Sequence, residues 1–347
     1  MSEQAGPDAT IPAPVTADPA GPPKRPGPPP PPTASPGKSV TARTPLQLAM
    51  ARLRRDKVAL AAGVLLILLI LVAVCAPLIA KLVGHDPTTN YPDGIDASGL
   101  LPVPVTPGPG FLLGADQLGR DVFVRTLYGA RISLLVGIVA TAIALVVGTT
   151  VGLLAGFVGG KTDTVLSRII DIFLSFPFLV TALTLVALNR DEFGQPRISP
   201  ILLVMAVISL FTWTFFARLV RGQVLSMRER EFVEAARSLG ASNFRVMVVD
   251  LMPNLVAPLI VYATLQIPLN IVFEATLSYL GVGVRAPTAS WGNMLFDAQA
   301  SGYYQTQPGF LLGPGIALLL TVLAFNLLGD GLRDALDPRS SRTMAKD

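Results

Sequence analysis

Six runs of apolar residues, near Val58–Ala80, Ile132–Val158, Leu166–Leu188, Pro200–Val220, Val256–Gly283 and Phe310–Leu328, govern what this chain can fold into. Each holds roughly twenty residues or more, enough for an α-helix to cross about 30 Å of hydrocarbon. In lipid the backbone amides must be satisfied within the segment, so an open chain crosses as helices. Composition agrees: 51% of the residues are hydrophobic, only 14% are charged, and the mean hydropathy is +0.57. Soluble domains carry about 25% charged residues. The expected fold class is an all-α polytopic membrane protein with six transmembrane helices.

Six spans put both termini on one side, and the basic residues choose that side. Placing Lys24 to Lys57, Lys161, Arg168, Arg218 to Arg245 and Arg333 onward in the cytoplasm gathers 20 of the 27 Lys and Arg. Both termini are therefore expected in the cytoplasm, in a multi-pass protein of the cytoplasmic membrane. Residues 1–45, rich in Pro, Ala, Gly and Thr and including Pro28 to Pro32, cannot bury enough surface to offset the entropy of ordering and read as a disordered tail. Residues 46–83 then form a juxtamembrane segment and the first span, 84–131 an extracytoplasmic loop, 132–330 the core, and 331–347 a cytoplasmic tail.

The most informative polar stretch is Arg228 to Asn254. Phe232, Ala235, Ala236 and Leu239 recur at helical spacing, which predicts a short amphipathic helix. Gly240 can end it in the left-handed conformation, and Ser242 or Asn243 can cap the next helix. Phe244, Met247, Val248 and Leu251 form a second stripe, which Pro253 is expected to stop. The prediction is a bent helix pair exposing an apolar knob.

Glu234-Ala235-Ala236, then Gly240, then Leu251-Met252-Pro253 resemble in type and spacing the EAA loop of the membrane subunits of ABC importers. The string from Phe111 through Gly114-Ala115-Asp116-Gln117-Leu118-Gly119-Arg120-Asp121 to Tyr128-Gly129-Ala130-Arg131-Ile132-Ser133-Leu134 is similar to the entry of the second span in the peptide and nickel branch. Shorter matches are Arg168-Ile169-Ile170-Asp171 with Phe176-Pro177, Glu274 to Gly283, and Ser290 to Leu295. Together they cover about residues 50 to 339. The resemblance implies a type I importer permease fold, a five-helix core plus an N-terminal span, and a C-type subunit paired with a B-type subunit as a heterodimer. It further implies two cytoplasmic ABC ATPase subunits or domains, which bind ATP and Mg, and an extracytoplasmic substrate-binding protein.

On that resemblance Glu234, Ala235, Ala236, Gly240 and Pro253 couple the chain to the ATPase, and the imported solute is a dipeptide or oligopeptide. Nickel chelates, glutathione or another small solute are the alternative cargo. The charged groups within spans are candidates for the translocation path or its gating. Asp171 stands one turn from Arg168, a spacing that allows a local ion pair, whereas Glu274 follows Pro268 and either lines an outer cavity or bonds a neighbouring helix or Arg285. Trp291 is expected to anchor at the membrane interface, or alternatively to contact the binding protein.

Catalysis by the chain itself is not expected. Gly159-Gly160-Lys161-Thr162 mimics the end of a phosphate loop, but Ala155 stands where that pattern needs its first glycine. The single Cys75 and the single His85 leave no evident metal site, so no metal, cofactor or nucleic-acid partner is expected, only membrane lipid. A secondary transporter would need coupling-ion sites and an internal repeat, and neither is evident.

Overall fold

The computed structural model describes residues 50–98, 102–189 and 195–336. The chain divides into two units, Met1–Ala42 and Arg43–Asp347, and only the second falls within the described residues. The proline-rich tail and the end of the C-terminal tail, from 337 on, lie outside them.

Helix α1 spans Lys57–Val83, with the Asp56 carboxylate capping its first amides. A loop follows, holding the short antiparallel strands β1 (Ile95–Asp96) and β2 (Val103–Pro104). Helix α2 covers Val122–Val158, α3 Gly160–Ser175, α4 Phe178–Leu188 and α5 Pro200–Met227. Helix α6 is Glu231–Ser238, α7 runs through Asn243–Tyr279, α8 is Trp291–Ser301 and α9 is Gly309–Leu336. Helices α1, α2, α5, α7 and α9 are each long and apolar enough to cross a membrane.

Three sequence expectations need correction. The second span begins at Val122 rather than Ile132, because Asp121 accepts from the amides of Phe123 and Val124 and starts the helix while its residues are still polar. The third span is broken: α3 and α4 meet at an 82° bend. Phe176 and Pro177 are both extended there, since a proline drives its predecessor out of the helical region and donates no amide. The second hairpin helix does not stop at Pro253. A π-helical turn, Val246–Leu251, carries it into the fifth span, and the Met252 amide bonds back to Met247 O. The wider turn accommodates the missing proline donor.

The most extensive packing joins α2 to α5. Gly148, Gly152 and Gly156 lie along one stripe of α2, and α5 sits directly on it. A methyl group on Gly152 would lie 2.6 Å from Ala217 O, and one on Gly156 would lie 2.8 Å from Val224 Cβ. Small residues four apart are how membrane helices gain close van der Waals contact where lipid offers no hydrophobic drive. Helix α1 uses alanine instead: Ala59, Ala62, Leu66, Ala73, Ala76 and Ala80 are buried in coiled-coil spacing, while Leu60, Val64, Ile67, Leu71, Val74 and Leu78 point away from the protein. Cys75 is half-buried in the same helix.

At mid-depth a polar junction ties three helices. The Asn270 side chain of α7 donates to Thr141 Oγ1 of α2 at 2.8 Å and accepts from Thr212 Oγ1 of α5 at 3.1 Å. Gln266 also donates to Asn270 Oδ1, at 3.3 Å. Such bonds are each worth on the order of 1 kcal/mol in a membrane.

The seam makes a direct prediction. Gly152→Ala introduces the clash with Ala217 O and should destabilise the protein by about 1–3 kcal/mol. Gly222→Ala, on an open face of α5 with nothing within 4 Å, should be neutral or mildly stabilising. Thermal unfolding of the two variants in detergent checks the contrast, and equal midpoints would remove the seam as a stabilising element.

Candidate coupling hairpin and polar cluster

Helix α6 starts after Arg230, carries Glu231 and Glu234 in its first turn and Arg237 in its last, and so complements its own dipole. It ends in a Schellman motif: Ala241 N donates to Ala236 O at 3.0 Å and Gly240 N to Arg237 O at 2.9 Å, with Gly240 at φ +81°. A left-handed residue at this point favours glycine. Ser242 then caps α7 by accepting from Arg245 N. The expected glycine stop and serine cap both stand.

The buried face of the hairpin differs from the stripes read in sequence. Val233 is fully buried and Ala236 packs beside it, while Phe232, Glu234, Ala235 and Gly240 face outward. In the second arm the inward residues are Val246, Leu251, Leu255 and Leu259. The spacing of five between the first two is the register of the π turn, which turns Phe244 and Val248 out instead. Leu239 is 89% exposed and Phe244 72%, so the tip is an apolar knob. Pro253 is exposed just beyond it.

This hairpin is moored to the α2–α5 seam. Its buried residues belong to one hydrophobic cluster with Leu153, Phe157, Phe216, Ala217, Val220 and Val224. The Arg237 guanidinium lies over the Phe157 ring, 4.9 Å from its centroid, and Arg228 Nη1 donates to Gly156 O at 3.2 Å. Beside it, Arg221 Nη2 holds Asp163 Oδ2 at 2.9 Å. Asp171 does not pair with Arg168 as the spacing suggested; its partner is Arg218 of α5, at 3.4 Å and well exposed. Asp163, Ser167, Arg168, Asp171, Arg218 and Arg221 line a cavity of about 380 Å³.

At the other end of α2 the polarity of residues 114–134 resolves into a buried ionic cluster. Asp116 Oδ1 accepts from the amides of Leu118 and Arg120, and its Oδ2 lies 2.6 Å from Arg120 Nε and 3.4 Å from Arg125 Nε. Arg120 also reaches Asp297 of α8 at 3.5 Å. Burial pushes the Asp297 carboxyl above the usual carboxylate range, against the pull of Arg125 and Arg120. Arg125 is fully buried and donates to Pro87 O at 3.0 Å and to Pro287 O at 3.4 Å. Asp121, besides capping α2, holds His85 Nδ1 at 2.6 Å, and the His85 ring packs between Tyr91 and Phe111. By type and spacing alone, the string carried only a family resemblance. Four charges within ten residues just before an apolar run were the signal of the cluster.

Below the cluster, Glu274 is fully buried between helices. Its carboxylate accepts from Ser133 Oγ of α2 at 2.7 Å and from Ser278 Oγ at 2.8 Å. Its partners are thus serines, not Arg285, which donates to Gly281 O. Trp291 is not an interfacial anchor: it is fully buried, its indole donates to Thr126 O at 3.1 Å, and its ring lies against Gly129. The bare Cα of Gly129 makes that room. Glu274, Ser133 and Trp291 therefore knit α2, α7 and α8 together.

Two family models match the chain. One, described as a binding-protein-dependent transport system inner membrane component, covers residues 148–342, and the other, the N-terminal transmembrane domain of oligopeptide transport permease C, covers residues 44–102. The dipeptide transport system permease protein DppC of Alkalihalophilus pseudofirmus is 38% identical over 88% of this chain and 93% of its own length. The oligopeptide permease OppC of Haemophilus influenzae is 39% identical, over 84% and 88% respectively. The glutathione permease GsiD of Escherichia coli is 40% identical, over 86% and 91%. Among solved structures, an inward-facing MetNI methionine ABC transporter matches with a TM-score of 0.51 and 20% identity, over 61% of this chain and 96% of that one, which supports the fold. The chain belongs to the binding-protein-dependent inner membrane components, the permease subunits of ABC importers, and within them to the C type of the oligopeptide branch.

Proposed function

We propose that this chain is one half of the membrane pore of an ATP-driven importer of short peptides, with the hairpin in the cytoplasm as its coupling element. The observation that carries the coupling is the continuity of α7: one helix runs from the exposed knob at Phe244 to Glu274 among the serines. A docked ATPase that moves the knob therefore moves the packing of α2, α5 and α7 directly. The basic residues gathered at the hairpin end support a cytoplasmic position. Relatives named for dipeptides, oligopeptides and glutathione share peptide bonds in their cargo, and this favours a peptide over a nickel chelate.

In this reading a B-type permease completes the pore, two ATPase subunits or domains bind ATP and Mg, and an extracytoplasmic binding protein delivers the substrate. The chain itself carries motion rather than chemistry. Leu239 and Phe244 fill the ATPase groove, Ala235 and Ala236 allow close approach, Glu234 offers a charge-assisted bond, Gly240 holds the turn and Pro253 follows the π turn that leads the hairpin arm into the fifth span. ATP binding can shift the pore only as far as it binds one state better than the other, so a rigidly capped hairpin transmits more of that difference. Glu274 braces the gate at the cluster end, and Asp171 with Arg218 faces the path at the hairpin end.

Three outcomes test this. Leu239→Asp leaves the protein folded, because the side chain touches solvent, yet should weaken copurification of the ATPase at least about tenfold. Gly240→Val, which forces a β-branched residue to φ +81°, should reduce ATP-dependent uptake into proteoliposomes to near background. Normal uptake and ATP hydrolysis in both variants would overturn the docking assignment. For Glu274→Gln, import should slow relative to wild type; unchanged transport together with unchanged coupled ATP hydrolysis would remove the gate role.

A further inference from the structure

A cavity of about 560 Å³ lies at the cluster end of α2, and the coupling reading makes no use of it. Its size falls within the several-hundred Å³ range of small-ligand sites. Asp86, Thr88, Tyr128, Arg131, Leu135 and Thr288 form much of its wall. Two loops contribute to that wall, and a single buried guanidinium holds both. Arg125 donates to Pro87 O, between Asp86 and Thr88, and to Pro287 O, next to Thr288. Asp116 in turn lies against Arg125 at 3.4 Å. The wall is set before any ligand arrives, which lowers the ordering cost of binding.

Charges of opposite sign open into this space. Asp86 accepts from the Thr88 hydroxyl at 2.5 Å and the Thr88 amide at 2.8 Å, and these bonds hold its carboxyl below the usual range, ionised at neutral pH. The Arg131 guanidinium lies over the Tyr128 ring, 5.6 Å from its centroid, and enters none of the ion pairs formed among the described residues. Ile132, Leu135 and Ala289 add apolar lining to the same cavity. An acid, a base and apolar lining in one cavity match a short chain that carries an ammonium at one end and a carboxylate at the other.

We propose that this cavity is the entry site through which the permease receives its substrate, a short peptide with free ends, its carboxylate at Arg131 and its ammonium at Asp86. The proposal rests on the peptide-import reading above. A phospholipid headgroup shares the ammonium-and-anion chemistry, so the test must tell the two apart.

The test uses the full complex in proteoliposomes with benzoylphenylalanine in place of Leu135. Photolysis while a loaded binding protein delivers a labelled dipeptide and vanadate traps the ATPases should attach that dipeptide to the α2 position, read by mass spectrometry. In complexes whose assembly is verified by copurification, Arg131→Gln and Asp86→Asn should each cut crosslinking and uptake about tenfold, and Arg131→Lys should recover part of both. The Asp86→Asn loss should be absent for an N-acetylated dipeptide, which has no ammonium to place. Undiminished dipeptide uptake in both variants, an equal loss for free and acetylated dipeptides, or crosslinks to lipid alone would overturn the site while leaving peptide import standing. A parent complex that imports no dipeptide at all would overturn the peptide reading beneath it.

Discussion

The close approach of α2 and α5 along Gly148, Gly152 and Gly156 is the constraint from which the rest of the structure follows. A membrane helix gains nothing from hiding apolar surface that lipid would cover equally well; it gains from fitting. The bare glycine face lets Phe216, Ala217, Val220 and Val224 press onto the α2 backbone, and the hairpin residues Val233, Val246 and Leu251 complete the same cluster. Because the seam extends to Gly156, and Arg228 bonds to its carbonyl, the hairpin is anchored to the α2 backbone as well as to its side chains. A packed interface of this kind switches between discrete arrangements instead of stretching.

Helix α7 is the second continuous element, and its polar residues are placed where it touches others. Asn270 meets Thr141 and Thr212 at mid-depth, and one turn further Glu274 meets Ser133. Each group is paired, as burial in an apolar medium requires. Pro258 and Pro268 lie within the same helix and each removes one backbone donor. With Pro253 at the π turn as well, the result is a rod that is firmly registered against α2 through side chains yet is weakened at three points along its own axis. On the coupling proposed above, that combination would carry a displacement at the hairpin to Glu274 while allowing the helix to bend on the way.

Most of the architecture is legible in sequence because apolar run length is a one-dimensional property. The five long helices, the Gly240 stop and the Ser242 cap are all local signals, read correctly from the residues themselves. What escaped depends on partners distant in the chain. Residues 122–131 look like a loop because Arg125 and Thr126 are polar; in the helix Asp116 and Pro87 meet Arg125 from elsewhere, and the Thr126 hydroxyl donates back to Val122 O. Trp291 looks like an interfacial residue by type and is buried because Gly129 leaves a space for it. The π turn shifted the inward stripe of the hairpin by one residue, and a period of 3.6 cannot anticipate an insertion of that kind. Phe176-Pro177 was a visible break signal, yet the apolar run continued through it.

The buried charges near the start of α2 raise an energetic question that the fold answers. Well-packed apolar residues would cover Asp116, Arg120, Arg125 and Asp297 at lower desolvation cost. Apolar packing, however, has no directional demand on a loop carbonyl, whereas a guanidinium presents its donors in a fixed plane. Arg125 uses one nitrogen to fix two carbonyls that belong to loops about 200 residues apart in the chain. Arg120 bridges two carboxylates with two of its nitrogens, Nε to Asp116 and Nη2 to Asp297. Among its described residues, the irregular segment between α1 and α2 holds two-residue strands and the His85, Tyr91 and Phe111 rings rather than a long regular element. These charges therefore fix its shape, and the four charged residues of the string, Asp116, Arg120, Asp121 and Arg125, act as its frame.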